Sequence, residues 1–159
     1  MFTIGDKVVY PMHGAGIIEG IEEKKILGES RRYYILKVPF GDMKIMIPVS
    51  NTEDVGVRNI VSEDELGPVI ELLGCKVSAM SDNWNKRYRE NMEKLKTGDI
   101  EEVAEVVRNL MLTDREKRLS TGERKMLSNA KQILISEMIL VSRIDQNEAN
   151  KIINEAVFK

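Results

Sequence analysis

The chain has 159 residues, enough for one domain or two small ones, with an ordinary globular balance of 42% hydrophobic and 31% charged residues. Its 24 basic and 26 acidic residues leave a formal net charge of -2, which excludes a generic polycation. Any grip on nucleic acid must therefore come from charge clustered locally. One cysteine, Cys75, and one histidine, His13, exclude an internal disulfide framework and a Cys/His zinc site.

The opening, Met1-Phe2-Thr3-Ile4-Gly5-Asp6, has no basic stretch leading into an apolar run, so no signal peptide is expected. The longest apolar stretch, 133–141, is broken by Ser136 and Glu137 and is too short to span a bilayer. A cytoplasmic location is expected, with no membrane partner.

Residues 1–61 read as strands. Short runs rich in β-branched and aromatic residues at 7–10, 16–21, 33–38, 44–47 and 57–61 are separated by Pro11, Gly14, Gly28, Pro39, Gly41, Asp42 and Gly56. Five short strands hide their edges best by curling, which predicts a small SH3-like or Tudor-like β-barrel. Charge in this half is even, with eight basic and eight acidic residues. The segment 49–56 is expected to be a hinge or linker.

From Ser62 onward the period is that of a helix. Ser62 with Glu65, Asp99 with Glu102, Ser120 with Glu123, and Asp145 with Glu148 each pair an oxygen-bearing cap with a carboxylate three residues on. Another helix is expected to begin near Ser81 or Asp82, and Gly74 and Gly98 sit where C-terminal caps belong. Apolar stripes agree: Ile100, Val103, Ala104, Val107, Leu110 and Met111 form one, and Ala149, Ile152, Ile153, Ala156 and Val157 another. The stretch 125–141 is apolar on more than one side and is predicted to be the most buried helix. The fold class is thus α+β, with a barrel over 1–61 and an all-α bundle of about five helices over 62–159.

Catalytic chemistry is not visible. His13 lies in a turn with no nucleophile beside it in sequence, and Cys75, after Gly74, reads as a small buried hydrophobe. Gly14-Ala15-Gly16 is no phosphate loop, because no Gly-Lys-Ser/Thr follows. Acidic residues such as Glu101, Glu102 and Glu105 fall near a helix start, where the macrodipole explains them. No enzyme, cofactor or metal is expected.

Charge is uneven in the second half. Residues 84–96 carry Lys86, Arg87, Arg89, Lys94 and Lys96 against Glu90 and Glu93, and 115–131 carry six basic residues against Glu116 and Glu123. Brought to one face, these segments would make a phosphate-binding surface; kept apart, they are solvated helix faces. Trp84, the one tryptophan, has two readings. Spacing with Tyr88, Met92 and Leu95 suits a core anchor. A first-turn position beside Lys86, Arg87 and Arg89 suits a minor-groove wedge.

The order of these features resembles CarD/CdnL transcription factors. The resemblance rests on Val8-Val9-Tyr10-Pro11-Met12-His13-Gly14-Ala15-Gly16, a module that transcription-repair coupling factors share, and on Asn83-Trp84-Asn85-Lys86-Arg87-Tyr88 and Gly122-Glu123-Arg124-Lys125-Met126-Leu127 further on. It runs nearly end to end. It implies that the first domain binds the β subunit of RNA polymerase by strand addition, through Lys24 and the segment Lys44, Ile45, Met46 and Ile47. Met46 departs from the family pattern, where arginine can stand, and Lys44 can substitute. It also implies that Trp84 enters the minor groove at the upstream edge of the promoter bubble. Lys86, Arg87 and Arg89 would hold the flanking phosphates, with Lys94 and Lys125 as further contacts. The expected outcome is a monomer that stabilises the open complex without base-specific readout. The alternative is a protein–protein adaptor without DNA contact.

Overall fold

Short alternating runs bury one side of a sheet, and here five of them pair antiparallel. In the computed structural model, which describes residues 2–40, 43–76 and 80–159, they are β1 (Lys7–Tyr10), β2 (Gly14–Ile26), β3 (Glu29–Lys37), β4 (Lys44–Pro48) and β5 (Arg58–Asn59). The sheet order is β4-β3-β2-β1-β5, a Tudor-like arrangement with β4 and β5 at the edges. Val8, Ile18, Tyr34, Leu36 and Ile47 form its core. The turn expected at Gly41 and Asp42 lies outside the described residues.

Two expectations change. β2 and β3 run well past 16–21 and 33–38, pairing out to Ile26 and Glu29, with a register shift between Ile18 and Gly20. Their outer part escaped the sequence reading because most of it is exposed, which leaves no apolar alternation to detect. The segment 49–56 is not an interdomain linker. It holds a single 3₁₀ turn, Val49–Asn51, and a buried Thr52 whose hydroxyl donates to the Val49 carbonyl at 3.1 Å, before the chain returns to β5.

Five helices follow among the described residues: α1 (Glu63–Leu73), α2 (Trp84–Lys96), α3 (Ile100–Glu116), α4 (Thr121–Ser142) and α5 (Gln146–Val157). Ser62 and Glu65 form a reciprocal capping box, and Ser120 and Asp145 accept from the backbone N–H groups of Glu123 and Glu148. Asp99 caps a residue earlier than expected, accepting from Glu101 N–H. The cap of α2 is Asn83, whose side chain accepts from Lys86 N–H, rather than Ser81 or Asp82. The stretch expected to be the most buried helix is second to α3: α4 (22 residues) buries nine, among them the unbroken run from Ile133 to Met138, whereas α3 (17 residues) also buries nine. No helix among the described residues is long and apolar enough to cross a membrane.

The sheet and the helices are docked against each other. Gly14 takes φ 110°, and a Cβ placed there would stand 2.9 Å from the Ser136 hydroxyl of α4. That hydroxyl instead accepts from Ala15 N–H at 2.8 Å and donates to the Ile133 carbonyl. One residue on, the almost wholly buried Glu137 carboxylate accepts a two-pronged bond from Arg58 at 2.8 Å on both oxygens, and a third bond from Val61 N–H at 2.9 Å. Arg58 also donates to the Gly98 carbonyl, and Met12 and Phe40 pack on the helical core. The Pro-Met-His-Gly-Ala turn of the sequence therefore seats the sheet on α4.

Candidate nucleic-acid interface

Two helix starts meet at Trp84. It is the first residue of α2, so its side chain stands at the helix end, and it is 42% exposed. The ring stacks on Tyr88 one turn later, with centroids 5.3 Å apart and planes 21° from parallel. Its Nε1–H donates to the Ser120 hydroxyl, the cap of α4, at 2.9 Å. Beneath it lies Gly122, where an added Cβ would touch the indole at 3.5 Å. The residue is thus neither fully buried nor fully exposed. Tyr88, Met92 and Leu95 pack on the helical core at the predicted spacing, while the indole at the head of the stripe remains half outside.

Ser120 anchors a second layer. Its hydroxyl accepts from Glu123 N–H at 3.2 Å and donates to Glu123 Oε1 at 3.2 Å. The Glu123 carboxylate is buried and takes a fork from Arg87 Nε and Nη2 at 2.9 and 3.1 Å. Burial pushes the Glu123 carboxyl up, but the Arg87 hydrogen bonds and charge, with the Ser120 bonds, outweigh it and hold the group below its usual value. Arg87 is raised, chiefly by its hydrogen bond to Glu123, against the opposing effect of burial.

The structure sorts the expected phosphate contacts. Lys86, Arg89 and Lys125 are exposed. Arg87 is not free: its side chain is 14% exposed and committed to Glu123, so it braces α2 against α4. Lys94 is paired with Glu105 at 2.7 Å, a bridge from α2 to α3. Sequence could not separate these because helical spacing reveals which face of its own helix a residue shares, not which face of another helix meets it. What sequence missed is Ser120, Gly122 and Glu123 as the seat of the indole; Arg118 and Arg124, part of the basic stretch 115–131, are exposed near the same helix start. The capping pair of Ser120 and Glu123 was legible; its second duty was not. The first turn of α2 contains no acidic residue, so its macrodipole and Lys86 have the same sign there. Two converging helix N-termini with cations around them favour an anion.

The other expected residues lie on the sheet. β4 is an open edge, and its outward positions are Lys44, within 3.3 Å of Glu19, and Met46. Ile47 is buried and Ile45 packs on the same core, so a partner strand would meet those two through backbone only. Lys24 is exposed on β2 opposite Arg31, beyond the end of β4, whose last pair is Tyr33 with Pro48. His13 is exposed and stacked on Tyr10 at 4.3 Å. Cys75 is not the buried hydrophobe expected: it falls past the Gly74 cap, is exposed, and its thiol reaches back to the Glu71 carbonyl at 3.6 Å.

A Tudor-like sheet with an open edge, docked on a helical domain that holds a tryptophan half exposed at the meeting of two helix starts, defines a two-part factor of the CarD type. Family models agree: residues 2–61 match the CarD-like/TRCF RID domain, an RNA polymerase-interacting module, and residues 68–154 match the CarD C-terminal domain. The chain belongs to the CarD family of transcription factors. It is 43% identical over 148 residues to a Bacillus subtilis (strain 168) protein named "Putative transcription factor YdeB", an alignment covering 93% of this chain and 97% of that one.

Proposed function

We propose that the chain binds the β subunit of RNA polymerase along the β4 edge and lengthens the life of open promoter complexes by resting Trp84 in the minor groove at the bubble's upstream end. The domains divide at 61/62. The protein acts as a monomer, on cytoplasmic polymerase at the nucleoid, and it does no chemistry of its own. The observation that carries this reading is the half-exposed indole, fixed at the junction of two helix starts, while Lys86 and Arg89 of α2 and Lys125 of α4 are exposed.

Magnitudes favour holding over melting. About half the ring is already covered by the protein, so groove insertion removes roughly 100 Å² more, about 2–3 kcal/mol. Unstacking a base step costs about a few kcal/mol. The wedge therefore does not open a duplex unaided, but it slows the closing of one already melted. Attachment to polymerase raises its effective concentration enough for so small a contact to count.

The test is promoter-complex lifetime with footprinting. Trp84→Ala should retain fold and polymerase binding while shortening the lifetime by roughly ten- to a hundredfold, the loss of about 2 kcal/mol. Lys86→Ala, Arg89→Ala and Lys125→Ala should each lower the salt slope of the DNA contribution by about one. Charge reversal at Lys44 with Met46→Glu should weaken polymerase binding and leave the indole site intact. An unchanged lifetime in Trp84→Ala, with no salt dependence, would leave the protein–protein adaptor instead.

A further inference from the structure

The Ser120 hydroxyl has one proton to give and two lone pairs, and each is engaged. It accepts from Trp84 Nε1–H at 2.9 Å and from Glu123 N–H at 3.2 Å, and it donates to Glu123 Oε1 at 3.2 Å. Glu123 is forked by Arg87, which stands three residues after Trp84 on the same helix. The bonds close a ring: Trp84 to Ser120, Ser120 to Glu123, Glu123 to Arg87, and Arg87 back to Trp84 along α2. A hydroxyl with every valence used has no rotor freedom left, so the indole it holds has a single orientation.

We infer that Ser120 is the positioning residue of the wedge: it fixes the plane of the Trp84 ring and takes up the ring's one hydrogen-bond donor, so the indole meets nucleic acid by stacking and shape alone. The minor groove offers acceptors at adenine N3 and thymine O2 and a donor at guanine N2. A free indole N–H would favour the acceptors and impose base preference; one already bonded to Ser120 imposes none. The ring of bonds gives the proposed absence of base readout a physical cause. This inference rests on the wedge reading given above.

The full-length protein tests it with Trp84→Phe, Ser120→Ala, the double variant, and Ser120→Thr, read by open-complex lifetime on purified polymerase and promoter. Ser120→Ala is expected to shorten the lifetime about fivefold when Trp84 is present, the value of one hydrogen bond. It should add nothing in the Trp84→Phe background, which lacks the N–H. Ser120→Thr, which keeps both the cap and the acceptor, should restore the wild-type lifetime. Since the protein has a single tryptophan, acrylamide quenching of its fluorescence gives a second readout without DNA. Ser120→Ala should raise quenching and Ser120→Thr should not, with thermal melts confirming that each variant is folded at assay temperature. An equal loss from Ser120→Ala in both backgrounds would make Ser120 a helix cap and nothing more. A silent Ser120→Ala would equally overturn the inference. A silent Trp84→Ala would remove the wedge reading itself, and quenching would still decide whether Ser120 holds the ring.

Discussion

The seam between sheet and helices and the tip that carries Trp84 lie along the same helix and are built from the same parts. At the seam, Ser136 and Glu137 of α4 accept from Ala15 N–H, Arg58 and Val61 N–H. At the tip, Ser120 and Glu123 accept from Trp84 and Arg87. In both places a buried carboxylate receives an arginine fork next to a serine that receives an N–H. The difference lies in what is covered. Every partner at the seam is occupied by the chain, whereas the tip closes its polar bonds and leaves half an aromatic ring outside. Polar satisfaction confers fixed geometry at both ends of α4, and the exposed apolar surface of the ring confers the capacity to bind at one. The helix thereby ties the sheet that carries the β4 edge to the half-exposed ring.

Breaking the seam should cost most. Arg58→Ala strands the Glu137 carboxylate, which is 2% exposed and still accepts from Val61 N–H. Loss of the partner of a buried charge costs about 3–5 kcal/mol, which in a chain of this size lowers the melting temperature by on the order of 10 °C. Thermal or urea unfolding followed by circular dichroism measures it. A loss under 1 kcal/mol would mean that water reaches Glu137 readily and that the seam is not the brace described above.

Breaking the tip should cost less, about 2–3 kcal/mol for Arg87→Ala, since the Ser120 hydroxyl still donates to the Glu123 carboxylate. This pair also carries a pH signature. Glu123 has a folded pKa below its unfolded one, so its stabilisation is fully present above the ordinary carboxylate range and is lost as pH falls through the lowered folded value. Glu123→Gln should therefore be clearly less stable than the wild type at pH 7. The gap should narrow as pH falls through the carboxylate range, compared by urea midpoint. A gap that stays constant on acidification would show that Arg87 contributes nothing through its charge.

How much of this was legible in the residues depends on range. Capping pairs such as Ser62 with Glu65, the switch of period at 62 and the buried stretch 125–141 are local, and local steric and hydrogen-bonding rules specify them. Strand count led to a small barrel, whereas the segment 44–47 was singled out only through the family resemblance. Arg87 was misread because the cation that suits a phosphate equally suits Glu123, thirty-six residues away by chain and 2.9 Å by contact. Cys75 was misread because its exposure depends on where the Gly74 cap releases the chain. Trp84 stayed ambiguous for a sound reason: helical spacing says which stripe a residue shares, and the head of a stripe can be half in and half out.

Two glycines sharpen the comparison at the smallest scale. Gly14→Ala at the seam meets both a φ of 110° and a serine oxygen at 2.9 Å. It should destabilise by about 2 kcal/mol, from backbone strain and displacement of Ser136 together. Gly122→Ala at the tip meets neither obstacle. Its backbone is helical, and the new methyl would stand 3.5 Å from Trp84 and 3.8 Å from Tyr88, ordinary contact distances. Alanine is the better helix former by about 0.5–1 kcal/mol, and the methyl adds a little packing under the ring, so the melting temperature should rise by about 2 °C. Opposite signs for the same chemical change would show that the seam is closed and that the tip retains room. A loss at Gly122 comparable to that at Gly14 would mean that the indole is clamped as tightly as the seam, with no slack for a base step to meet it.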